Sequence, residues 1–284
     1  MELKLNNDTF KLPAGWDQLT KEQFCRLASL STLKLSENEF KLYLLLAILD
    51  LKVEQNKPFR IHGEYCYKLT GNKKIYLISV TDLAIVVINS LAWIFKEVGP
   101  AGKKRLEIDC KLAKILIDSV QVGKETWYGP AAAMNNSIYE EYMRCLVVSS
   151  EFSGGDTSAI DKLIAALYRP GKPENLSSGD IREPYNDYEV DARAKKLKNH
   201  PEFLKLAVLL QFNGHMWSIS QTFPETFTSG SAKKSSKNVF MQQLDLIDNL
   251  AQHRIPDKEA IRKTPLYDVL HTLNNLIINA PKKS

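Results

Sequence analysis

The chain of 284 residues is 44% hydrophobic and 25% charged, with a net charge of +5. That balance is ordinary for a globular protein with a substantial core, and the charge is too weak to demand a nucleic-acid partner. The two longest apolar runs, residues 40–51 and 83–95, fall short of the ~20 residues that a bilayer span requires.

The first ten residues lack a charged segment followed by an apolar one, so no secretory leader is expected. Cys25, Cys66, Cys110 and Cys145 are widely spaced without a CxxC pair. This is the pattern of free, mostly buried thiols in a reducing cytoplasm.

Residues 12–16 form an extended lead-in. Thr20 with Gln23 is a capping box and predicts a helix to about Thr32, with Phe24, Leu27 and Ala28 facing inward. Ser36 with Glu39 repeats the device and opens a second helix, 37–51, apolar almost all round and therefore buried. From Lys57 the hydrophobic period changes from helical to alternating. Strands are expected at 58–62, 65–69 and 74–78, with turns at His62-Gly63 and Gly71-Asn72. So small a meander needs a helix over one face. Residues 79–82 cap that helix, 83–95, which ends before Gly99-Pro100. Residues 105–109 read as a possible strand and 111–120 as a helix.

Tyr128-Gly129-Pro130 marks a turn. Asn136 or Ser137 can cap a helix to about Val148, and Gly154-Gly155 breaks the chain. Asp156 caps a helix over 158–168, which stops where Arg169 precedes Pro170. Residues 171–179 read as a surface loop. Asn186 or Asp187 caps the next helix, whose last turn carries Lys195, Lys196 and Lys198, the sign favoured at a helix C-terminus. Pro201 opens a helix over 202–212, with Gly214 as its stop. Residues 229–238 read as a linker. Amphipathic helices at 239–253 and 265–279 make a hairpin turning at Pro256. The expected fold is mainly α and multi-helical, with a three-stranded antiparallel meander near residues 58–78. Three regions are expected: 1–125, 126–228 and 229–284.

No constellation commits the chain to a reaction, and no catalytic residue, metal site or cofactor is expected. His62, His200, His215, His253 and His271 lack zinc-ligand spacing and read as surface or cap residues. The stretch Gly230 to Ser235 lacks the second glycine and preceding strand of a phosphate loop. No GxSxG elbow is present. The densest charged cluster is Asp180, Arg182, Glu183 and Asp187, with Arg169 and Arg193 nearby. Alternating signs beside prolines point to an ion-paired clamp of Arg169, Asp180, Arg182, Glu183 and Arg193 that fixes the loop's path. A carboxylate buried there would instead open acid–base chemistry. Trp127, Tyr128, Trp217 and Phe223 lie beside turns, as core aromatics or as anchors for a partner. Basic spots at 103–105, 233–237 and 282–283 are far apart and lack interleaved aromatics, so a nucleic-acid partner is the weaker reading.

Taken together, WDQLTKEQF, WYGPAAAMNNSIYEEY, LIAALYRP, GDIREPYND and KLAVLLQFNG resemble a group of uncharacterised proteins from phages and prophages of Bacteroidetes-type bacteria. That group belongs to tail or virion morphogenesis. The opening LP-x-x-W-x-x-LT-x-x-QF is similar to the start of tail-assembly chaperone and baseplate-assembly proteins. The resemblance spans residues 12–227. It implies a non-enzymatic tail-assembly chaperone or adaptor, binding another structural protein such as a tape-measure protein, in the host cytoplasm or on the virion. It carries no assigned site residue.

Overall fold

A computed structural model describes residues 2–54, 57–71, 73–99, 105–172, 179–228 and 239–280. Helices predominate, accompanied by small antiparallel sheets of two to four strands. No helix among the described residues is long and apolar enough to cross a membrane. The chain divides into two compact units: residues 1–111 with 202–210, and residues 112–201 with 211–284.

The first unit opens with a hairpin, β1 (Glu2–Leu5) and β2 (Asp8–Lys11), turning at Asn6 in the left-handed region. Helix α1 (Lys21–Leu30) begins at Thr20, whose hydroxyl accepts the Gln23 amide while Gln23 reaches back. Helix α2 (Glu37–Leu49) begins at Ser36 and Glu39 in the same way. Each box satisfies two amides that a helix start leaves open. Phe24, Leu27 and Ala28 are fully buried, as the helical spacing predicts.

The meander has one strand more than expected. β5 (Glu64–Gly71) is flanked on one side by β6 (Lys74–Ser79) and on the other by β3 (Lys52–Val53) and β4 (Phe59–Ile61). His62 and Gly63 both have positive φ, as a tight hairpin turn requires. The turn expected at Gly71-Asn72 includes Asn72, which lies outside the described residues. Helix α3 (Val80–Ser90) starts and ends earlier than expected, and β7 (Phe95–Val98) pairs with β8 (Arg105–Ile108).

In the second unit the helix expected at 111–120 is absent. Instead β9 (Ser119–Val122) pairs with β10 (Glu125–Tyr128). The reason is Gln211, whose side-chain oxygen accepts the Leu116 and Ile117 amides, each at 2.8 Å. Its amide nitrogen donates to the Ile117 carbonyl and the Tyr168 hydroxyl. A distant side chain thus satisfies the backbone groups that a helix would have paired.

Helix α4 (Tyr139–Ser153) follows the left-handed pair Ala133-Met134. Its N-cap is Ile138 rather than Asn136 or Ser137. Helix α5 (Ala159–Leu167) ends as Arg169-Pro170 predicts, and Arg169–Pro170 forms the short strand β11 against β10. Helix α6 (Asp187–Leu197) is capped by Asn186.

Helix α7 (Glu202–Thr222) runs straight through Gly214, the expected stop. His215, Ile219 and Phe223 beyond it are all buried. Their burial outweighs the ~1 kcal/mol that an interior glycine costs. A short helix, α8 (Pro224–Thr228), follows. Residues 229–238 lie outside the described residues.

The C-terminal hairpin is three helices: α9 (Val239–Leu250), α10 (Ile255–Lys263) and α11 (Leu266–Ile278). Pro256 does not make the turn. It sits in the first turn of α10, where its missing N–H costs nothing. These helices belong to the same unit as α4. The Leu266 amide donates to the Ser137 carbonyl, the Tyr139 amide to the Thr264 carbonyl, and the Tyr139 hydroxyl to Gln243.

Candidate functional site

The site grows from the end of α5. A helix leaves its last carbonyls unpaired, and two guanidiniums take them up. Arg169 donates to the Ala166 carbonyl at 2.9 Å and Arg182 to that of Leu167 at 3.0 Å. Both cations therefore sit at the negative end of the α5 dipole.

The backbone holds them there. Residues 169–172 and 181–183 run antiparallel, with the Lys172 amide on the Ile181 carbonyl and the Glu183 amide on the Pro170 carbonyl. Arg169 Nε donates to the Glu183 carbonyl at 2.8 Å. Two glycines permit this closeness. A Cβ on Gly129 would lie 2.8 Å from the Tyr168 ring, and one on Gly171 would lie 2.7 Å from the Tyr128 ring.

Two carboxylates balance the two cations. Asp180 takes hydrogen bonds from Arg182 Nε at 2.9 Å and Nη2 at 2.9 Å. Glu141, from the first turn of α4, accepts from Arg182 Nη1 at 2.8 Å. Its second oxygen lies 3.2 Å from Arg169 Nη1, an ion-pair distance without hydrogen-bond alignment. The side chains of Arg169, Arg182 and Glu141 are only 1–2% exposed. Burial alone would lower the Arg182 pKa, but the charges and hydrogen bonds of Glu141 and Asp180 more than offset it, and the pKa lies above its usual value. Arg169 also faces the Tyr185 ring at 5.5 Å, a cation–π contact. Burial, then the hydrogen bond to Asp187, keeps the Tyr185 hydroxyl protonated.

Further out, Arg193 on α6 bridges Glu183 at 3.0 Å and Glu189. The five residues of the expected clamp are therefore close together, but in two groups: Arg169, Asp180 and Arg182 around Glu141, and Glu183 with Arg193 beside them. The sequence reading missed Glu141, the residue at the centre. Its signal is positional. Glu141 shares a helical stripe with Cys145 and Val148, both fully buried, so the charge falls on the core face of α4.

The aromatic residues divide. Trp127 is fully buried in β10, with its indole N–H on Glu125, and Phe223 is buried against Tyr267. Neither can anchor a partner, which corrects that expectation for both. Tyr128 and Trp217 are half-buried. His215 corrects the reading of the histidines as surface residues. It is 1% exposed and accepts the Ala133 amide on Nδ1, and burial pushes its pKa down to about 4.

Two cavities lie beside the cluster. One, of about 540 Å³, is lined by Glu141, Arg169, Asp180 and Arg182. The other, of about 560 Å³, is lined by Lys172, Arg193, Arg262 and the 183–189 segment. They share Glu140, Glu183, Pro184, Tyr185 and Lys263. Glu140 is half-buried, and burial, then the charges of Asp187 and Glu259, raise its pKa. The Cys145 thiol is fully buried, and desolvation lifts its pKa well above the usual range, so it is a poor nucleophile. Among the described residues no three His, Cys, Asp or Glu converge as metal ligands.

The chain matches no family model, no curated protein and no solved structure.

Proposed function

We propose that the chain is a non-enzymatic morphogenesis factor of a phage or prophage, acting as a tail-assembly chaperone or adaptor for another structural protein. The observation that carries this reading is how the charged groups of the 180–187 loop are spent. Asp180, Arg182 and Glu183 face Glu141, Arg169 and Arg193 across the loop and brace its path. The sequence motifs of residues 12–227 supply the phage context. Apolar side chains left on the surface, among them Ile75 and Leu77 on β6 and Ile85 and Ile88 on α3, are contact material for a second chain. Affinity capture from cells in which the prophage is induced tests the reading. A tail or tape-measure protein in the eluate is expected, and an eluate without any virion protein contradicts it.

A second reading, an enzyme working at this loop, draws on Glu140. An unpaired carboxyl with a raised pKa in a cleft is a common mark of an acid–base group. Glu140→Gln separates the two readings, because an adaptor keeps its partner when that proton is removed.

A further inference from the structure

The four-stranded sheet of the first unit buries one face only. Tyr67, Leu69, Tyr76 and Ile78 point to the covered side and are at most 3% exposed. Side chains alternate along a strand, so the residues between them face the other way. Lys52, Thr70 and Ile75 form one row across that open face, and Lys68 and Leu77 lie in the next. Ile75 is 53% exposed and Leu77 45%, two neighbouring aliphatic side chains largely open to solvent. The charge around them is one-sided. Residues 52–74 hold six Lys or Arg and only two Glu, an excess of four in a chain whose net charge is +5. Lys68 pairs with Glu54 at 2.6 Å and Lys74 with Asp8 at 2.8 Å. Lys52, Lys57 and Lys73 are exposed, with no ion-pair partner among the described residues. Arg60, also exposed, lies over the Tyr65 ring. Glu64 is the only other carboxylate in the stretch.

We infer that this open sheet face docks an acidic, amphipathic segment of a partner polypeptide, with apolar side chains on Ile75 and Leu77 and carboxylates on Lys52 and Lys73. Charge complementarity selects the acidic partner. The aliphatic pair selects a polypeptide over single-stranded nucleic acid, whose bases stack on aromatic rings. The aromatic residue on this face, Phe59, is half-buried. The inference rests on the adaptor reading and names the surface and the partner chemistry for it.

Fluorescence anisotropy with a labelled octapeptide alternating Glu and Leu tests it on the full chain at low ionic strength, where salt screens surface charge least. Lys–Leu and Glu–Ser octapeptides are the controls, and an oligothymidylate and phosphatidylserine vesicles are the competitors. The Glu–Leu peptide should bind and the Lys–Leu peptide should not. The Glu–Ser peptide should bind about tenfold more weakly, the effect of losing the partial burial of one or two aliphatic side chains. The double variant Lys52→Gln/Lys73→Gln changes two exposed positions and should keep its circular dichroism spectrum. It should bind the Glu–Leu peptide about tenfold more weakly. No binding of the Glu–Leu peptide, or equal affinity in the double variant, overturns the inference. An oligothymidylate or a vesicle that binds more tightly than the peptide and displaces it also overturns it, in favour of a nucleic-acid or membrane surface. The titration uses no phage component. A failed titration with successful capture therefore condemns the sheet face alone, and a bound peptide with no virion protein captured condemns the adaptor reading alone.

Discussion

Glu141 and Arg182 lie 41 residues apart, yet their side chains meet at 2.8 Å with each only 1% exposed. Removing one member of such a buried pair strands the other charge. Glu141→Gln takes away the carboxylate shared by Arg169 and Arg182, while their ion pairs to Asp180 remain. A loss of about 3–5 kcal/mol is expected in urea denaturation with an unchanged m-value. A change below 1 kcal/mol would mean that water already serves these groups.

The tight passage beneath the site gives a second expectation. Gly129→Ala drives a methyl to 2.8 Å from the Tyr168 ring, whose hydroxyl is committed to the Ile117 carbonyl at 2.6 Å. Overpacking of this kind costs about 1–3 kcal/mol and should appear as a lowered Tm. A neutral result would show that the ring can yield.

Much of the first unit was legible because its signals are local. Thr20 with Gln23, Ser36 with Glu39 and His62-Gly63 each settle a boundary within four residues. The failures came where a distant partner decides. The apolar spacing of residues 111–120 reads as helical, but Gln211 takes the backbone amides from some 95 residues away. Gly214 reads as a stop, but the buried residues after it carry α7 onward. In the site, five residues were legible as alternating charge beside prolines. Glu141 was not, because a single Glu in YEEYMR looks solvated until the face it occupies is known.

His215 makes stability depend on pH. Its folded pKa of about 4 lies below the ordinary 6.5, so the unfolded chain takes up the proton first as pH falls. The stability it supports is fully present above pH 6.5 and is lost as pH drops toward 4, on the order of 3 kcal/mol in all. Carboxylates titrate in the same range, so the comparison is with His215→Gln. The wild type should lose more stability than the variant between pH 6.5 and 4, and parallel curves would contradict the assignment.

The two exposed-or-buried aromatic classes predict opposite behaviour. Trp127→Ala empties a fully buried site and should cost about 3–5 kcal/mol. Tyr188→Ala, at 96% exposure, should stay within about 0.5 kcal/mol of wild type.

The most direct test of the brace is a double-mutant cycle on Glu141 and Arg182, using Glu141→Leu, Arg182→Met and both together, with stability read from denaturant unfolding. A brace predicts that each single variant is severely destabilised and that the double variant loses much less than their sum, because it removes one charge of each sign and leaves Arg169 and Asp180, 3.8 Å apart, to balance one another. Additive losses would contradict the account.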